Sequence, residues 1–114
     1  MQNTDKLNAM QSWLEEKNLQ DIQVIDISDI SSDMDAFIIS TAANDRQARA
    51  AADFFEEKAD QNGYKRLGTE GYDSGKWILM DYQDVIVHIF LEEERSRYNL
   101  EKLWADGKIL KPEN

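Results

Sequence analysis

Asp81 and His88 stand seven residues apart in "GKWILMDYQDVIVHIF" (75–90), the densest apolar stretch of the chain. A carboxylate and an imidazole within reach of each other can pass a proton or hold a metal. His88 is the only histidine and there is no cysteine, so this donor set stops short of the four ligands that structural zinc requires. No G-x-S-x-G nucleophile elbow accompanies it. Asp33 and Asp35, in "DMD", have the spacing of the paired carboxylates that hold Mg²⁺ during nucleotidyl transfer. The Gly-Ser needed beside them to hold a triphosphate is missing, and Asp is a common residue at a loop-to-strand turn. "GTEGYDSG" (68–75) carries glycines but no G-K-[ST] and enters no helix, so it is not a phosphate loop; its glycines suit turns or bulges. "EEERSR" (92–97) reads as a solvated face, with Arg95 and Arg97 pairing with nearby glutamates at small gain.

The elements that must position these residues follow from periodicity. Residues 5–18 read as a helix, with Leu7, Met10, Trp13 and Leu14 on one face and Thr4 able to cap it. "IQVIDI" (22–27) and "AFIIST" (36–41) read as strands, the second apolar enough to be buried on both faces. Residues 44–63 form the clearest helix. Asn44 and Gln47 make a capping-box-like start, Ala48, Ala51, Ala52, Phe55 and Ala59 form the stripe, and Gly63 is the left-handed terminator. A strand over 64–72, a turn at 73–75, a hairpin of 76–82 with 85–90, and a helix over 99–107 complete the order αββαβββα. That order predicts an α/β single domain, a mixed sheet of about five strands with helices packed on it.

An even turn around Gln83 and Asp84 places Ile78 opposite Ile89, Met80 opposite Val87 and Tyr82 opposite Val85, a nearly pure core face. The other face then carries Trp77, Leu79 and Asp81 beside Ile86, His88 and Phe90. Asp81 and His88 become diagonal neighbours, about 7–8 Å apart along the backbone and within possible hydrogen-bonding reach. Aromatic anchors with a few orienting polar groups are the composition of a protein interface. Two arrangements are open. Leu100, Leu103 and Trp104 of the C-terminal helix cover this face fully, or they cover part and leave the rest to a partner.

At 114 residues the chain has the size of one domain and buries roughly 65 % of its unfolded surface. No apolar run reaches the ~18 residues of a membrane span, and the start has neither a signal-peptide nor a transit-peptide character, so a cytoplasmic location is expected. Asp plus Glu total 23 against 13 Lys plus Arg, a net charge of −10. Such a balance disfavours nucleic acid and favours a basic protein surface.

"DAFIISTAANDRQARAAAD", "EGYDSGKWILMDYQDVIVHIF" and "ERSRYNLEKLW" together closely resemble the ribosomal silencing factor family, the Iojap-like proteins, from about Leu7 to Trp104. The resemblance implies a domain over residues 1–107 with a tail at 108–114, nucleotidyltransferase-like in shape but without catalysis or cofactor. It implies binding to the large ribosomal subunit through its fourteenth protein. The bound factor would block joining of the subunits and repress translation in starvation or stationary phase. A homodimer of the free form is also implied. With the face above, the expected partner-binding residues are Trp77, Leu79, Asp81, His88, Phe90, Tyr98, Leu100 and Trp104, with Asp81 meeting a Lys or Arg. The alternative is a nucleotidyltransferase-like enzyme that uses the Asp33/Asp35 pair with Mg²⁺.

Overall fold

The structure, a computed structural model, describes residues 4–29 and 32–98. The chain runs α1 (Thr4–Glu16), β1 (Gln20–Asp26), β2 (Ala36–Ala42), α2 (Asp45–Gln61), β3 (Gly68–Glu70), β4 (Trp77–Asp81), β5 (Val85–Leu91) and α3 (Glu92–Tyr98). One five-stranded sheet has the order β1-β2-β5-β4-β3, with β2 and β5 parallel and the other pairs antiparallel. The mixed sheet and the αββαβββα order expected from the pattern are present. The helix expected over 99–107, with Leu100 and Trp104, and the tail at 108–114 lie outside the described residues.

Both long helices end in the same way. At α1, Leu19 N–H returns to the Leu14 carbonyl and Asn18 N–H to that of Glu15, with Asn18 at φ 63°. At α2, Tyr64 N–H returns to Ala59 and Gly63 N–H to Asp60, with Gly63 at φ 77°. Each is a Schellman ending, in which one left-handed residue turns the chain so that it satisfies the last carbonyls. Asn can take that conformation at modest cost because its side chain is short and polar. Thr4, read as a cap, is instead the first residue of α1. Asn44 caps α2 by accepting from Gln47 N–H at 2.8 Å, while the Gln47 amide spans to the α1 terminus at the Lys17 carbonyl. The Gln47 side chain, which also accepts Ala43 N–H at 2.6 Å, therefore helps close one helix start and ties it to the end of another.

The sheet has two faces, and both are covered. On the first, Leu7, Met10 and Leu14 of α1 and the alanine stripe and Phe55 of α2 pack on Ile38, Ile78, Met80, Val87 and Ile89. Alanines on α2 let it approach the strands closely, and Phe55 fills the space between Trp13 and Tyr82. The hairpin register is the one alternation dictates: Ile78 faces Ile89, Met80 faces Val87 and Leu79 faces His88. Gln83 sits at φ 78° in the turn, where Asp84 N–H returns to the Tyr82 carbonyl.

The strand expected over 64–72 shrinks to three residues. Tyr64 is held back by the α2 ending, and Arg66 turns to Glu56 and Thr69. Beyond Glu70, Gly71 at φ 79° bends the chain away. The Tyr64 N–H, already committed to the Ala59 carbonyl, cannot also join a ladder.

Candidate docking site

The second sheet face is built by strand alternation from Phe37, Ile39 and Thr41 of β2, Ile86, His88 and Phe90 of β5, and Trp77, Leu79 and Asp81 of β4. It forms a core of its own with Ile27, against which Ile25, Met34 and Tyr98 pack. Trp77 is 3 % exposed and His88 0 %, with Leu79 and Phe90 equally enclosed. Of the residues read as partner-binding, these four therefore lie inside the chain. Asp81 and Tyr98 are half-buried at its surface.

His88 does not pair with Asp81. Its Nδ1 accepts the Trp77 indole Nε1–H at 3.0 Å. Phe37 meets the imidazole edge-on at 5.0 Å and Phe90 stacks on it at 5.9 Å. Because Nδ1 accepts, the neutral ring carries its proton on Nε2. That atom is buried and has no hydrogen-bond partner among the described residues. Burial pushes the imidazole down from 6.5 to about 3, so it stays neutral near pH 7. Asp81 turns the other way and accepts Gln83 N–H at 2.8 Å, which supports the left-handed turn residue. The diagonal geometry allowed a contact, but each group found a nearer partner.

Of the other acidic pair, Asp35 is engaged in backbone structure. Asp35 N–H donates to the Asp84 carbonyl, and its own carbonyl accepts Ile27 N–H. Among the described residues, no three His, Cys, Asp or Glu side chains gather as a metal site.

Helix α3 crosses this face over one cross-strand row, Thr41–Phe90–Trp77. At one end Tyr98 packs on Trp77 with 4.7 Å between ring centroids. At the other, Arg95 Nη1 donates to the Thr41 hydroxyl at 2.8 Å and to the Asp21 carbonyl at 2.6 Å. Asp21 stands in the irregular stretch of β1, where pairing with β2 skips between Gln20 and Gln23, and has φ 49°. An extra residue at a bulge carries a carbonyl free of the ladder. Sequence reasoning placed Arg95 in a solvated run. Its remote bonds had no local signal, since Asp21 lies 74 residues away.

Fold and site together define a small α/β domain whose single histidine is a packing group within a buried aromatic face. The model of the family "Ribosomal silencing factor during starvation", RsfS, matches residues 1–114. The chain belongs to the ribosomal silencing factor family, whose role is translation regulation. It is 41 % identical over 95 residues to ribosomal silencing factor RsfS of Bacillus subtilis, covering 83 % of this chain and 80 % of that one. It is 28 % identical over 104 residues to mouse "Mitochondrial assembly of ribosomal large subunit protein 1", covering 87 % of this chain and 45 % of that one. A crystal structure of a Chromobacterium violaceum protein superposes with TM-score 0.87 at 32 % identity, covering 99 % of this chain and 92 % of that one. The mouse protein's name places that protein in assembly of the mitochondrial ribosomal large subunit. Among the described residues, no helix is long and apolar enough to cross a membrane.

Proposed function

We propose that this protein docks on the fourteenth protein of the large ribosomal subunit, at the subunit-joining face, and so excludes the small subunit. Translation falls as a result when nutrients are scarce or growth stops. The observation that carries this reading is the family match along residues 1–114. The net charge of −10 supports it, because an acidic domain is drawn to a basic ribosomal protein and repelled by bare RNA. The mechanism is occupancy in the cytoplasm, without catalysis or cofactor. A domain measuring 34 × 33 × 23 Å fills space that the small subunit needs. His88 supports a non-catalytic role, since its Nδ1 is engaged and its ring is enclosed.

Within the contact, Asp81 and Tyr98 are the surface groups, with Asp81 meeting a Lys or Arg. Trp77, Leu79, His88 and Phe90 act from beneath by holding that surface rigid. Leu100 and Trp104 are further partner contacts, and the free form pairs as a homodimer.

Sucrose-gradient sedimentation tests the reading. Added protein co-sediments with large subunits and lowers the fraction of joined ribosomes, and Asp81→Ala weakens both effects. Folded protein in excess that leaves subunit joining unchanged refutes it.

A further inference from the structure

We infer that Arg95 is a positioning residue for ribosome docking: it sets the orientation of α3 and thereby presents Tyr98 to the partner. The inference rests on the docking role proposed above for Tyr98.

Arg95 and Tyr98 are three residues apart, so they project from neighbouring positions on one side of α3. They meet the two ends of one row across three strands, Thr41 on β2 and Trp77 on β4, with Phe90 on β5 between them. Adjacent strands are about 4.8 Å apart, so the row spans roughly 10 Å, which two long side chains from adjacent helical positions can bridge. A helix of seven residues that buries no residue fully cannot hold its own position in water. Beyond its direct join to β5 at Glu92, its orientation comes from such side-chain anchors. Tyr98 alone gives a ring contact about which the helix can pivot. Arg95 adds the second point and removes the pivot.

The acceptor side is also shaped for this role. Thr41 is buried, so its hydroxyl is a fixed acceptor. The Asp21 carbonyl is turned toward the guanidinium by the positive φ of a residue type that tolerates it. Both bonds leave one guanidinium nitrogen, and both are charge-assisted and directional. The half-buried Tyr98 then keeps one side on Trp77 while the rest remains at the surface.

The test is a double-mutant cycle on the full chain, read as affinity for purified large subunits. Arg95→Ala weakens binding about tenfold if the competent orientation of Tyr98 falls to about one tenth of the population. Thr41→Val, which keeps the shape and removes one acceptor, gives a smaller loss of about threefold. Arg95→Lys restores part of the Arg95→Ala loss. The decisive reading is coupling: in a Tyr98→Ala background, neither Arg95→Ala nor Thr41→Val weakens binding further. In the free protein, Arg95→Ala shifts the NMR signals of the Trp77 indole and the Tyr98 ring. Unchanged affinity in the Arg95 and Thr41 variants, or equal losses with and without Tyr98, overturns the inference. Should Arg95→Ala fail to fold, the Thr41→Val pair decides alone. Failure of the wild type to bind large subunits instead removes the docking role itself, and the two failures are separate measurements.

Discussion

His88 makes the stability of this protein depend on pH below the ordinary imidazole value of 6.5. The folded imidazole is fully enclosed and burial pushes it down to about 3, while the unfolded one keeps its ordinary 6.5. Between these values the unfolded chain binds a proton that the folded chain refuses. Stability therefore rises with pH across this window and is lost as pH falls below 6.5. The slope is a factor of about ten in the folding constant per pH unit. From pH 6.5, where the unfolded imidazole is already half protonated, to pH 4.5 the integrated change is about fiftyfold, roughly 2 kcal/mol. Carboxyls held below their ordinary 3.8, Asp26 by Ser28 and Asp45 by Arg49, act in the same direction but only below that value. A floor of pH 4.5 keeps them out of the comparison. The assay is urea denaturation from pH 4.5 to 8 on the wild type and on His88→Gln, whose amide can still accept the Trp77 indole N–H. A constant offset between the two is irrelevant. Their curves must converge or cross toward low pH, because only the wild type carries the imidazole slope. Parallel curves refute the argument that His88 is buried and neutral.

Three substitutions test the packing. Gly75→Ala forces a side chain into φ 70° and sets its Cβ 2.7 Å from the Asp45 Cβ and the Arg49 guanidinium; thermal denaturation should show a loss of about 1–3 kcal/mol. Tyr82→Phe removes a buried hydroxyl that has no partner among the described residues, so urea unfolding should show a stability equal to the wild type or about 1 kcal/mol higher. Phe55→Ala opens a cavity between Trp13 and Tyr82 and should cost about 3–5 kcal/mol by the same measurement.

Local rules carry far in this chain. The alternation of Trp77–Asp81 against Val85–Leu91 was enough to set the hairpin register, because a slip by one residue would expose an entire apolar set. Asn44 and Gly63 marked the ends of α2 because capping depends on residues within one turn. The αββαβββα order followed from such segments, and the family was legible in the combined spacing of its motifs. Periodicity was silent where a competing partner decided, as at Tyr64, whose N–H returns to the α2 ending while β3 is only three residues long.

The candidate site divides in the same way. Which residues share the second face was determined by alternation alone, since side chains on a pleated strand have only two directions. What each polar group on that face binds was decided in three dimensions. Asp81 and His88 were close enough to pair, yet the Trp77 indole reached Nδ1 and the Gln83 amide reached the carboxylate. Arg95 looked like one more charge on a wet helix until folding brought the Asp21 carbonyl and Thr41 beside it. A sequence records periods and caps because these act across a few residues. Contacts between β1, β2 and α3 depend on where the whole sheet places its edges, and only the packed structure fixes that.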